Sequence, residues 1–309
     1  MNEKNKKTCL DLRIAFDLTT PLPELDFILP GLLAGTVGMI TAPGGTGKTF
    51  WMIQAAISIA SYQQKIPFFG GVWDTPKNGG RVVLLLAEDP LNILAHRVRS
   101  IGKWLSTSYD IPKLTENLQE NLEIHSLIGY QPCLMGSDGK PDERWLDMLK
   151  RTAEGTRLLG IDPLRRWHRG NEVDNGMMMY LIQLMEGIAK DSGCTILFSH
   201  HVNKLSMISG TGGEQGAARG ASALTDGVRW QLNLTKMNKE EASKLSIAED
   251  QRGHYVRMDI SKSNYGNPLE PVWLRKEAGG VLTKAIFANT NRNENKEKHY
   301  EKELKKCPT

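Results

Sequence analysis

The sequence predicts an α/β fold: a mainly parallel, twisted sheet flanked by helices and extended by antiparallel strands on its C-terminal side. Three observations predict it. Short apolar runs at 37–42, 82–87, 122–128, 157–161 and 194–199 alternate with helical patterns at 48–61, 90–105, 143–153 and 176–191. One helix per interval is what right-handed crossovers between parallel strands need. After residue 227 the spacing changes, and 228–235, 254–262 and 271–275 read as successive strands with Gly279-Gly280 as a turn. Finally, Ala42-Pro43-Gly44-Gly45-Thr46-Gly47-Lys48-Thr49 joins the first strand to the first helix, the setting of a phosphate-binding loop.

Each element then brings its chemistry in chain order. Gly44, Gly45 and Gly47 allow a tight turn whose backbone N–H groups face a phosphate, with Pro43 and Thr46 completing the loop. Ala42 stands where the strict pattern has glycine, and the turn is made by the later glycines. Lys48 is placed to reach β- and γ-phosphates, and the Thr49 hydroxyl to ligate Mg²⁺. ATP and Mg²⁺ are therefore the expected cofactors. Residues 63–80, rich in Pro and Gly, read as a loop. The next strand ends in Ala87-Glu88-Asp89-Pro90. Glu88 is the candidate general base for an attacking water, and Asp89 the candidate cap of the following helix; an exchange of these two roles stays open.

Leu158-Leu159-Gly160-Ile161-Asp162 puts a second carboxylate at a buried strand end, where ligands gather in open α/β sheets. Asp162 is the candidate for the metal shell. Leu164-Arg165-Arg166-Trp167-His168-Arg169 follows, with cations and an aromatic in the mixture that single-stranded nucleic acid favours. Arg165, Arg166, His168 and Arg169 are candidate nucleic-acid contacts. The strand at 194–199 runs into His200-His201. His200 suits a polar sensor of the γ-phosphate, and a buried, satisfied histidine is the alternative. Adjacent strand histidines point to opposite faces, which disfavours zinc. The Gly-rich loop 202–220 carries Lys204 and Arg219, and its length points to function. Arg229 starts a later strand and Lys262 ends one.

Composition bounds the rest. With 309 residues, 40% hydrophobic and 24% charged, the chain reads as an ordinary globular protein. The apolar segment 28–42 is broken by Pro30, Gly31, Gly35 and Gly38, so no membrane span is expected. The charged N-terminus lacks a following apolar core for export. Cys9, Cys133, Cys194 and Cys307 have neither metal nor redox spacing. A cytoplasmic protein is expected. The net charge of +4 sits in the tails: residues 284–309 hold seven Lys or Arg against four Glu. Nucleic-acid contacts must then come from loops or tails, not from a basic slab. The expected organisation is an N-terminal arm at 1–22 that is flexible or packs on a neighbouring subunit, an ATPase domain at 23–288, and a disordered polar tail at 289–309.

Together these blocks resemble the RepA-type replicative helicases of broad-host-range IncQ plasmids, hexameric ring helicases of RecA-like fold related to the DnaB family. The resemblance runs from about Pro23 to Lys284. It rests on Leu25-Asp26-Phe27-Ile28-Leu29-Pro30, the phosphate loop, Ala87-Glu88-Asp89-Pro90, Asp162 with the arginine loop, and Phe198-Ser199-His200-His201. It also rests on Arg219-Gly220-Ala221-Ser222 through Arg229-Trp230, and on Ser261-Lys262-Ser263-Asn264-Tyr265-Gly266. It implies an ATP hydrolase that unwinds DNA 5′ to 3′ during plasmid replication. In that reading Lys48, Glu88, His200 and Arg229 are catalytic, Arg229 acts across a subunit boundary, and Lys262 contacts nucleotide. Implied partners are single-stranded DNA, further copies of the chain in a ring, and a plasmid replication initiator or primase. Pro163 directly after Asp162 and the Lys/Asn-rich ends depart from the family pattern. Two other readings share the motifs: a RecA- or RadA-like recombinase, and a DNA-binding regulator that uses ATP only to assemble.

Overall fold

The computed structural model describes residues 18–201 and 222–287. A small hairpin, β1 (Phe27–Leu29) and β2 (Leu32–Leu33), precedes the main sheet. The parallel strands are β3 (Val37–Ala42), β4 (Val82–Leu86), β5 (Leu122–Ser126), β6 (Leu158–Asp162), β7 (Thr195–His201) and β8 (Trp230–Lys236). The antiparallel strands β9 (Tyr255–Ser263), β10 (Val272–Lys276) and β11 (Leu282–Lys284) extend it. The order across the sheet is β11-β10-β9-β8-β3-β7-β6-β4-β5. On leaving β3 the chain crosses β7 and β6 to build β4, and the strand order reverses beside β3. Such a reversal opens a crevice at the carboxyl ends of the strands, and the site lies there.

Side-chain alternation fills both faces. Ile40, Leu84, Leu86, Leu158 and Leu197 point to the face covered by α1 (Lys48–Ala60), α2 (Leu91–Leu105) and α3 (Ile111–Asn121). Val37, Met39, Val83, Leu85, Leu159, Ile161, Ile196 and Phe198 point to the other, under α4 (Glu143–Ala153) and α5 (Asn175–Ser192). Gly160 is what lets α1 settle on β6, because a Cβ there would lie 2.4 Å from Leu84 and 3.0 Å from Met52.

Several expectations change. The interval between β4 and β5 holds two helices instead of one; Asp110 caps α3 through the Lys113 N–H, and Pro112 opens its first turn. Asp89 does not cap α2. Pro90 holds the cap position without a side-chain bond, because the Asp89 carboxylate is turned onto Arg97 at 2.8 Å. Strand β7 runs two residues beyond its expected end, through both histidines. Strands β1, β2 and β11 and the short helices Ser222–Gly227 and Lys239–Lys244 are additions. Expectations for residues 1–17, 202–221 and 288–309 lie outside the described residues.

Candidate functional site

The phosphate loop turns through left-handed backbone at Gly45 and Gly47, with φ of +69° and +113°, a conformation that a Cβ opposes. Gly47 caps α1, so Lys48 and Thr49 open the helix and its free N–H groups face the crevice. The Thr46 hydroxyl donates to the Pro43 carbonyl at 2.9 Å and closes the turn.

Alternation places Asp162 on the α1 face of β6. There Thr49 Oγ1 donates to Asp162 Oδ2 at 2.9 Å, and the Ser199 hydroxyl donates to Oδ1. A hydroxyl beside a carboxylate, at the head of a phosphate loop, is the hard oxygen set that Mg²⁺ prefers, so the expected metal residues fit the ion. Lys48 is buried, and its Nζ lies 3.4 Å from the Ala42 carbonyl and 3.1 Å from His201 Nδ1. Burial pushes its ammonium below the usual lysine range, while the charges of Asp162 and Glu88 pull it back up.

Glu88 follows β4 and is exposed, 3.5 Å from His201 Nε2. His201 therefore bridges the loop lysine and the candidate base. Parity explains why it is His201 and not His200. His201 shares the α1 face with Leu197, whereas His200 shares the opposite face with Phe198. Among the described residues, buried His200 has no hydrogen-bond partner at Nδ1, and burial pushes its imidazole down to about 4. Asp89 is held by both terminal nitrogens of Arg97, Nη1 and Nη2, at 2.8 and 3.0 Å. Partial burial nevertheless leaves its carboxyl above the usual range, with Arg97 opposing.

Two cations escaped sequence reasoning. Lys276 ends β10 and donates to the Gly45 carbonyl at 3.1 Å. The Lys236 ammonium lies 3.7 Å from where a Gly45 Cβ would stand. Burial and then the Lys236 charge hold the Lys276 pKa down. Both end strands that run parallel to β3, so only the sheet order, which no local motif carries, brings them to the loop.

The arginine loop begins with a 3-10 turn (Leu164–Trp167). Arg165, Arg166 and Arg169 share a cavity of about 600 Å³ with Glu88 and Gln131. Trp167 and His168 are buried. Trp167 meets Trp145 edge-on at 5.6 Å, so it is core and not a stacking platform, and His168 cannot reach a nucleic acid as expected of it. Arg229 is exposed, with no ion pair or hydrogen bond from its side chain to a described residue. Lys262 donates to the Thr225 and Asp226 carbonyls at 2.8 and 3.1 Å. Neither cation touches this chain's own phosphate loop. Lys204 and Arg219 fall outside the described residues.

A family model described as AAA domain matches residues 5–207, well over half the chain. Among solved structures, one described as an ATPase domain is 14% identical, with 81% of this chain and 85% of that chain covered at a TM-score of 0.52. A DnaB-like replicative helicase, described with its interactions with primase, is also 14% identical, with 82% of this chain but 58% of that chain covered at a TM-score of 0.55. At that identity the likeness is one of fold, that of RecA-like ATPase domains.

Proposed function

The chain belongs to the AAA domain family, and from that premise we propose that it is an ATP hydrolase that works as a DNA helicase. The observation that carries this reading is the convergence of Lys48, Thr49, Asp162, Glu88 and His201, from three strand ends and one helix start, on a single crevice. Lys48 and the N–H groups at the start of α1 bind the β- and γ-phosphates. Thr49 and Asp162 hold Mg²⁺, which when bound neutralises phosphate charge. Glu88 orients the attacking water and takes its proton. His201, between Lys48 and Glu88, changes partners when the γ-phosphate leaves.

Subunits form a closed ring, hexameric in the family that the sequence resembles, and ATP lies between neighbours. Arg229 supplies transition-state charge to the adjoining site, with Lys262 beside it. Arg165, Arg166 and Arg169, with Lys204 and Arg219, contact the backbone of single-stranded DNA. Motion of their loops moves the strand 5′ to 3′ and unwinds plasmid DNA, with an initiator or primase as partner. Among the described residues no helix is long and apolar enough to cross a membrane, and the proposed place of work is the cytoplasm.

ATP turnover of the full chain with and without single-stranded DNA tests the reading, beside unwinding of a forked duplex. Turnover should rise with DNA, and Lys48→Ala should fall below about a tenth of wild type, given the ~10³-fold scale of lost electrostatic stabilisation. Images with an ATP analogue and Mg²⁺ should show a six-fold ring. A filament, or turnover without unwinding, would favour the recombinase or regulator reading.

A further inference from the structure

The two histidines that end β7 face different surroundings. His201 touches Lys48 and Glu88 on the α1 side. His200 enters the opposite face, beneath the loop that carries the arginines. Glu172 closes that loop, and one of its oxygens does two jobs. Glu172 Oε1 lies 3.6 Å from Arg165 Nε and 3.6 Å from His168 Nε2, and Arg165 also donates to the His168 carbonyl at 3.2 Å. The neighbouring His168 imidazole and the Arg165 guanidinium hold the Glu172 carboxyl below its usual range, with burial opposing them.

This cluster is not fully satisfied. Buried polar groups usually find partners, yet the Nδ1 atoms of His168 and His200 and the Trp167 indole N–H are buried without one among the described residues. Its position supplies another role. Arg165 lines the cavity shared with Glu88, and the turn that carries it packs on β7, the strand that ends in His201.

We infer that Glu172 is a positioning residue that fixes Arg165 in the turn packed on β7, so that occupation of the arginine loop by a nucleic-acid phosphate is felt at the ATP site. A phosphate that draws Arg165 toward the cavity competes directly with Glu172 for the guanidinium. Release of Glu172 leaves its carboxylate beside buried His168, directly after the turn that packs on β7, the strand that carries His201. The inference rests on the proposed DNA-coupled hydrolysis.

The test compares wild type, Glu172→Gln and Glu172→Asp as full chains, with ATP turnover measured against a titration of oligo-dT and binding measured separately by fluorescence anisotropy. Gln keeps the shape and a weak hydrogen bond but not the charge. In Glu172→Gln, basal turnover should stay within about twofold of wild type and the oligo-dT affinity within about threefold. Stimulation at saturating oligo-dT should fall about tenfold, within the usual range of coupling between sites. Glu172→Asp should recover part of it. Stimulation unchanged in Glu172→Gln overturns the inference and leaves the ATPase reading intact. Basal turnover, affinity and thermal midpoint all falling together would mark a structural role and overturn it too. A wild type that hydrolyses ATP without responding to oligo-dT overturns both readings.

Discussion

Glu88 and Asp89 are sequence neighbours with different surroundings. Asp89 spends both oxygens on Arg97, whereas Glu88 is exposed in the crevice, 3.5 Å from His201. Glu88→Gln should therefore bind ATP like wild type and lose turnover by about 10²-fold or more, because an amide cannot take the proton. Asp89→Asn should keep most activity and lose some stability. The reverse outcome in steady-state assays would move the base to Asp89. His200 permits a second test at this scale. Burial lowers its imidazole to about 4 from 6.5, so between those values the unfolded chain binds the extra proton. Its contribution is complete above about pH 6.5 and is lost as the pH falls toward 4, on the order of 3 kcal/mol in all. Denaturant midpoints measured from pH 7 to pH 5 should fall in wild type and flatten in His200→Gln; parallel curves would show that another group carries the dependence.

Helix α1 carries the phosphate loop and is pinned at its middle. Buried Gln54 donates to the Leu282 carbonyl at 2.8 Å and accepts from the Leu282 N–H at 2.8 Å, so one amide replaces a strand partner for β11. Leu282 also comes within 3.7 Å of a Cβ placed on Gly47. Gln54→Ala leaves both backbone groups of Leu282 unpaired and should cost ~1–3 kcal/mol, seen as a lower thermal midpoint. ATP affinity should fall with it, since the edge that brings Lys276 to Gly45 loosens. An unchanged midpoint would mean that β11 is held by its pairing with β10 alone. At this scale α4 falls on its expected residues, whereas α3 was not anticipated, although Asp110 and Pro112 mark its start. β11 was not legible, because three residues carry no periodicity and its partner Gln54 lies 228 positions away in sequence.

Arg229 has meaning only for the whole molecule. It is exposed and remote from its own phosphate loop, as a cation meant for a neighbouring subunit would be. Arg229→Ala should keep most ATP affinity and lose turnover, by ~10³-fold if it equals the trans arginines of GTPases. Lys48→Ala should lose both. When the two proteins are mixed under conditions of proven subunit exchange, some interfaces pair an intact loop with an intact arginine. Those interfaces should recover hydrolysis above either protein alone. A mixture no more active than its parts would return Arg229 to a surface charge beside Trp230.

Local sequence was enough for the fold class, the phosphate loop and the two acidic strand ends. Glycine spacing selects the turn, apolar runs mark buried strands, and a carboxylate just past such a run stands at the strand's carboxyl end. Packing settled which histidine meets Lys48, since that depends on the parity of β7 within a packed sheet, and adjacent histidines look alike in one dimension. It withdrew Trp167 and His168 from the surface, because the partners that bury them, Trp145 and Glu172, lie on other elements or beyond the turn. It also brought Lys236 and Lys276 to Gly45. Sheet order alone sets that meeting, and sheet order is fixed by how both faces bury their side chains together, which no single segment encodes.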